Sequence, residues 1–246
     1  MLKDRTPPPR TGPPSQPFAD DGGFIAAAHR GGAAEAEAGS ARAVSLTADL
    51  GFHLEADVSV TADGVPVVFH PTGPARLMTW RTLPFDAGAR SLYRLDDLLA
   101  EHPTLRVLID VKQWPAVAPT AIAIARAGAA ERVSIGTFSQ ARTDATAQAI
   151  YELTGFRPWT ALGLRRLVRM ALGHAPRAGG RHTAQLPHRL VTRWLVVRAH
   201  AARVKVIAWT VNDEATMHRL LDMGVDGMIT DHPSRLRRVL TERDMP

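Results

Sequence analysis

Residues of catalytic type end several apolar runs of this chain. His29-Arg30-Gly31-Gly32 follows the first run and Glu55-x-Asp57 ends the second. His70 comes directly after Val65-Pro66-Val67-Val68-Phe69, and Asp110-x-Lys112 ends the fourth run. Trp209 and Asn212 end the seventh, and Asp231 follows the eighth. Residues two apart on a strand point to one side, ~7 Å apart along it. Glu55 and Asp57 therefore project together, as do Asp110 and Lys112. Carboxylates crowded into a low-dielectric mouth repel each other and take up protons. A divalent cation removes that cost, and all-oxygen ligation favours Mg²⁺ or Ca²⁺ over zinc. Such a cation, with Arg30 and Lys112, makes a pocket suited to a phosphate, whose charge in phosphoryl transfer develops on oxygens. Two histidines, each with an ordinary pKa of ~6.5, supply an acid and a base near neutral pH.

The elements that must position these groups are legible as a rhythm. Short apolar runs occupy 24–28, 53–58, 66–69, 106–111, 133–138, 157–162, 204–211 and 225–230, the 157–162 run being weak. Most are near-continuous in Val, Ile, Leu and Ala, the pattern of parallel strands buried on both faces. Helix-like stretches lie between them, at 40–50, 94–101, 116–128, 139–153, 191–203, 213–223 and 233–243. Asn212-Asp213 and Asp231 stand where helix N-caps belong. Eight strands, each followed by a helix or long loop, predict an α/β fold: a single (β/α)₈ TIM barrel over residues 24–246. Residues 1–23 are rich in proline and predict a disordered tail. A barrel enzyme carries its site at the C-terminal ends of its strands, where the polar residues above collect.

Composition bounds the rest. At 246 residues, 45% hydrophobic and 22% charged, the chain can close a full core. It has no cysteine, which excludes disulfides, thiolate metal sites and a thiol nucleophile. No apolar run approaches the ~18 residues of a spanning helix, and the first residues lack a secretory apolar core, so the expected location is cytoplasmic. The net charge is +6, and only Lys3, Lys112 and Lys205 among 30 basic residues are lysine.

The combination Ala28-His29-Arg30-Gly31, Glu55-Ala56-Asp57-Val58, Asp63-Gly64-Val65-Pro66-Val67-Val68-Phe69-His70, Ile109-Asp110-Val111-Lys112, Ala208-Trp209-Thr210-Val211-Asn212 and Gly227-Met228-Ile229-Thr230-Asp231 resembles the glycerophosphodiester phosphodiesterases, in the right order over roughly residues 24–240. The resemblance implies a TIM barrel that hydrolyses glycerophosphodiesters to glycerol 3-phosphate and an alcohol with Mg²⁺ or Ca²⁺. It implies His29 and His70 as the acid/base pair, and Arg30 and Lys112 on the phosphate. It further implies Trp209 as a wall of the glycerol pocket, with Glu55, Asp57, Asp110 and Glu37 as metal ligands. One course for the family is attack of the glycerol 2-hydroxyl on phosphorus, followed by opening of a cyclic phosphate.

Departures from the family pattern keep two alternatives open. The loop after His29-Arg30-Gly31 reads Gly32-Ala33-Ala34-Glu35-Ala36-Glu37-Ala38-Gly39, with Glu37 the best match for a ligand and Glu35 its competitor. Pro71 stands where an aspartate is usual, and Asp110 is one methylene shorter than the usual glutamate. The 71–104 segment is short. One alternative is a lysophospholipase D acting on an acylated glycerol. The other is a phosphate-ligand-binding barrel without catalysis. Asp110 and Lys112 alone also read as a structural ion pair.

His53 reads as a packed or hydrogen-bonded histidine. His182 and His188 read as surface residues beside a turn, and Trp80, Trp114, Trp159 and Trp194 as packing residues. Residues 153–212 hold ten Arg and Lys205 but no acid. One reading is a helix packing Leu164, Leu167, Val168 and Ala171 inward beneath solvated arginines. The other is a basic flank that touches anionic lipid. Nucleic acid is not an expected partner, since aromatic interleaving is absent.

Overall fold

The computed structural model describes residues 17–19, 22–70, 92–174, 176 and 180–245. The strands are β1 (Ile25–His29), β2 (His53–Val60), β3 (Pro66–Val68), β4 (Tyr93–Arg94), β5 (Val107–Val111), β6 (Val133–Gly136), β7 (Trp159–Ala161), β8 (His182–Pro187), β9 (Val204–Trp209) and β10 (Gly227–Thr230). The helices are α1 (Ala41–Asp49), α2 (Leu95–Glu101), α3 (Val117–Arg126), α4 (Gln140–Thr154), α5 (Leu164–Ala171), α6 (Arg193–Ala201), α7 (Glu214–Met223) and α8 (Pro233–Glu242).

Eight parallel strands pair in the order β1-β10-β9-β8-β7-β6-β5-β2, and β2 pairs back onto β1. The sheet is closed, each stave is followed by a helix, and the fold is a (β/α)₈ barrel. Because each stave is covered on both faces, its residues alternate between two cores. On β1, Ile25 and Ala27 join Leu108, Trp159, Ile207 and Ile229 inside the barrel, whereas Ala26 joins the layer beneath the helices. Ser40, Ser139, Thr192 and Asp213 cap α1, α4, α6 and α7 through their side chains, fixing where each helix leaves the strand before it.

One of the eight predicted staves is replaced by another. The 66–69 run is not a stave: β3 pairs antiparallel with β2, Val58 facing Val68 and Val60 facing Pro66. The missing stave is β8, whose sequence His182-Thr-Ala-Gln-Leu-Pro has no apolar run. Thr183 is nevertheless buried, and His182 bonds Thr160 Oγ1 through Nδ1 at 3.0 Å. His182 therefore lies on a barrel strand, not in a surface turn.

The tail boundary also moves. Phe18, within the stretch assigned to disorder, is fully buried against the bottom of the barrel interior. Its backbone N–H donates to Glu131 O, and its carbonyl accepts from His53 Nε2 at 2.9 Å. His53 is thus packed and hydrogen-bonded, as expected. The proline-rich residues 1–16, Pro71 and Trp80 lie outside the described residues. No described helix is long and apolar enough to cross a membrane.

Candidate active site

β1 delivers its histidine to the rim and then must turn sharply. Arg30 and Gly31 both take positive φ, at 52° and 84°. A Cβ on Gly31 would lie 2.6 Å from Ala43 Cβ and 2.9 Å from Ala43 C, so only glycine lets the turn settle on α1. His29 Nδ1 sits 2.6 Å from Asp231 Oδ1. Asp231 Oδ2 accepts from Asn212 Nδ2 at 2.7 Å, and Asn212 Oδ1 accepts from the Asp231 N–H at 3.0 Å. With Nδ1 donating to a carboxylate, Nε2 is left to work, and it lies 3.8 Å from Glu55 Oε2.

β2 and β5 supply the acidic half in register. Glu55 is level with Leu108 and Asp57 with Asp110. Asp57 is buried between two cations, with Arg30 Nε at 2.8 Å and Lys112 Nζ on its other oxygen. Lys112 also holds Asp110 Oδ2 at 2.5 Å. Lys112 is therefore more than one half of a structural pair: it ties two staves together at the rim.

His70 reaches the same rim by a detour. β2 runs on past Asp57 to a turn in which Thr61 Oγ1 meets Asp63 Oδ1 at 2.5 Å and Gly64 takes φ 84°. β3 then returns beside β2, and Phe69 N donates to Asp57 O at 2.8 Å. The hairpin so brings His70 back toward the level of the carboxylates. Its Nδ1 is buried without a hydrogen-bond partner among the described residues.

The electrostatics separate the two imidazoles. Burial lowers His29, but the Asp231 hydrogen bond and the Glu55 charge outweigh it, and the net displacement is upward. His70 is displaced downward, chiefly by burial; Asp57 pulls it up, and the charges of Arg30, Lys112 and His29 push it down again. Glu55 is pushed up to about 7 by burial, then by Asp57 and Asp110. Burial also raises Asp110, although Lys112 opposes it.

Two donors fit a divalent cation. Among the described residues Asp110 Oδ1 is buried with no hydrogen-bond partner, and burial, then the charges of Asp57 and Asp110, drive the Glu55 carboxyl toward protonation. Oxygens in need of positive charge are what a hard cation uses. Among the described residues, no three His, Asp or Glu side chains already converge as a metal cluster; Asp57 is turned onto Arg30 and Lys112. Glu37 is exposed in the turn before α1 and makes no polar contact with the cluster. Its competitor Glu35 instead accepts from Ser234 N and Oγ at the start of α8.

Some participants escape a sequence reading. Asp231 was expected to cap a helix, but its carboxylate is spent on His29, and α8 has no side-chain cap. The strand register brings the two together: Ala28 pairs with Thr230, so the next residues, His29 and Asp231, are neighbours. Phe138, in the loop after β6, meets Trp209 edge-on with ring centroids 6.1 Å apart, so Trp209 stands in an aromatic wall at the mouth. Gln185 of β8 lines a small interior cavity with Glu55 and Asp110.

The glycerophosphoryl diester phosphodiesterase family model matches residues 29–235. The chain is 36% identical over 255 residues to "Probable glycerophosphodiester phosphodiesterase 2" of Mycobacterium tuberculosis, covering 94% of this chain and 96% of that protein. A 41-residue stretch, 17% of this chain and 13% of the relative, is 51% identical to dermonecrotic toxin LiSicTox-betaID1 of Loxosceles intermedia. Among solved structures, a glycerophosphodiester phosphodiesterase from Agrobacterium tumefaciens has a TM-score of 0.67 at 20% identity, covering 89% of this chain and 99% of its own. An Oleispira antarctica phosphodiesterase, solved in complex with the product sn-glycerol-3-phosphate, has a TM-score of 0.67 at 18% identity, covering 89% and 97%.

Proposed function

We propose a mechanism from the premise that this chain belongs to the glycerophosphoryl diester phosphodiesterase family and is a phosphoric diester hydrolase. The substrate is a glycerophosphodiester, and the products are glycerol 3-phosphate and an alcohol. The observation that carries the reading is His29, held by Asp231 with its Nε2 toward Glu55, on the same rim as the Arg30–Asp57–Lys112 cluster.

Arg30 and Lys112 receive the phosphate oxygens, already held in place by Asp57. Trp209 and Phe138 cover the glycerol carbons. His70, neutral at pH 7, takes the proton of the glycerol 2-hydroxyl as its oxygen bonds to phosphorus. The bond from phosphorus to the head-group oxygen breaks, and His29, protonated through Asp231, gives that oxygen its proton. The roles then reverse: His29 takes a proton from water, water opens the cyclic phosphate, and His70 returns its proton to the 2-oxygen. Glu55 and Asp110, with Asp57 and Glu37 as further candidate ligands, would hold a Mg²⁺ or Ca²⁺ ion. Such an ion supplies positive charge to the phosphate oxygens as charge develops there.

Release of glycerol 3-phosphate from glycerophosphocholine by the purified protein, with Mg²⁺ or Ca²⁺ present, tests the reading. His29→Ala and His70→Ala should each lower the rate at least ~10²-fold. Unchanged rates in both would reject the acid/base assignment. The exposed Phe138 at the mouth favours a second reading, an acylated substrate of lysophospholipid type. Comparing rates on acylated and deacylated glycerophosphocholine separates the two.

A further inference from the structure

Helix α5 packs through only part of its expected face: Leu167 rests on the core and Ala171 is half-buried, but Leu164 and Val168 are exposed. Only Met170 is buried; Leu164, Val168 and Leu172, one stripe at a spacing of four, face solvent. On the next helix, α6, Trp194 and Val197 are more than half exposed, so Trp194 is not a packing residue. The two helices touch: Arg198 Nε donates to Ala171 O at 3.2 Å, and its guanidinium lies over the Trp194 ring.

The position of these side chains is set by topology. β6, β7 and β8 pair in succession, so the connections after them are neighbours around the mouth. Each presents a large apolar residue to solvent there. Phe138 follows β6 and is 85% exposed, Leu164 opens α5 after β7, and Leu190 and Trp194 follow β8. Arg165, Arg189 and Arg193 sit beside them, also exposed. The whole stretch 153–212 contains ten Arg and Lys205 without one Asp or Glu. Arg166 is spent on Asp144, but exposed apolar groups interleaved with the arginines beside them suit a surface that is apolar beneath and anionic above. A protein partner would more often be met by a mixed rim of both signs.

We infer that the arc of the mouth formed by Phe138, Leu164, Leu190 and Trp194 docks onto an anionic lipid bilayer, with Leu164 and Trp194 entering the headgroup region and the arginines pairing with lipid phosphates. The inference rests on the proposed function only in taking this mouth as the substrate entrance. Docking there would present a lipid-borne phosphodiester to the rim without its leaving the membrane surface.

Co-sedimentation and turnover together test it. The full chain is spun with vesicles of phosphatidylcholine alone and of phosphatidylcholine mixed with phosphatidylglycerol, in near-physiological salt. The wild type should pellet with the mixed vesicles and not with the neutral ones. The double variant Leu164→Ser/Trp194→Ser should lose at least about tenfold in partitioning, because both side chains forfeit apolar burial. Its hydrolysis of soluble glycerophosphocholine should be unchanged, which also reports that it is folded. Negligible pelleting with both vesicles, or a variant that pellets like the wild type, overturns the inference. So does a wild-type dimer in sedimentation velocity that the variant converts to monomer, since a second copy would then cover the face. Vesicle binding without any phosphodiester hydrolysis would reject the proposed function and leave the docking surface standing.

Discussion

His29 has one ring nitrogen committed and one available, and the difference is Asp231. The carboxylate accepts from Nδ1 at 2.6 Å and is itself fixed by Asn212. Those two bonds set the tautomer and hold Asp231 below the ordinary carboxylate range. Asp231 is thus a positioning residue, and its removal has a signed consequence. His29 lies above its ordinary value, so the protonated acid persists until pH rises through that raised value, and the alkaline limb of the rate profile marks its loss. Asp231→Asn withdraws a charge that raises His29, so the alkaline limb should move to lower pH while the acid limb, set by His70, stays. A profile that drops uniformly without moving either limb would point to a merely structural role. Lys112 carries a different prediction. It pairs with Asp57 and Asp110 together, so Lys112→Met should raise the KM for glycerophosphocholine and remove the charge that opposes the upward displacement of Asp110. A KM equal to wild type would remove Lys112 from the phosphate site.

The hairpin of β2 and β3 shows what an element adds that its residues do not declare. Pro66, Val67 and Val68 are all buried, as a stave would be, and an apolar run cannot distinguish the two. Their job is to carry His70 back to the level of Asp57. Gly64 at the turn and Gly128 between α3 and β6 both take positive φ with open space around them. Gly64→Val and Gly128→Val should therefore lower stability alike, by roughly 1–3 kcal/mol for the left-handed strain. Only Gly64→Val should also slow turnover, roughly tenfold or more, by misplacing His70. Equal effects on turnover would detach the hairpin from the chemistry. β8 hid for the opposite reason. Its Thr183 and Gln185 belong to a barrel mouth that is polar inside, so the apolar pattern that revealed β1, β5 and β9 fails there. The pairs Glu55 and Asp57, and Asp110 and Lys112, were legible because the side-chain period of a strand forces their grouping. The bond from His29 to Asp231 was not, because it joins residues 202 apart through closure of the sheet.

At the scale of the molecule, one end of the cylinder is sealed and the other is chemical. Phe18 fills the bottom, against Trp159 and the ring of His53, below the buried carboxylates. Phe18→Ala should cost about 3–5 kcal/mol, the usual range for emptying a buried aromatic site. It should lower Tm while leaving kcat near wild type at temperatures where the protein is folded; an unchanged Tm would show that the 17–19 segment does not close the barrel. At the open end two carboxyls from two staves still call for positive charge: among the described residues Glu55 has no Arg or Lys ion pair, and Lys112 bonds Asp110 Oδ2 but leaves Oδ1 without a partner. Calorimetric titration of Mg²⁺ and Ca²⁺ into chelator-stripped protein measures this directly. The account predicts binding to the wild type, release of protons near pH 7 as Glu55 ionises, and loss of that binding in Asp110→Asn. Undiminished binding by Asp110→Asn, or no divalent binding by a wild type that still hydrolyses glycerophosphocholine, would contradict it.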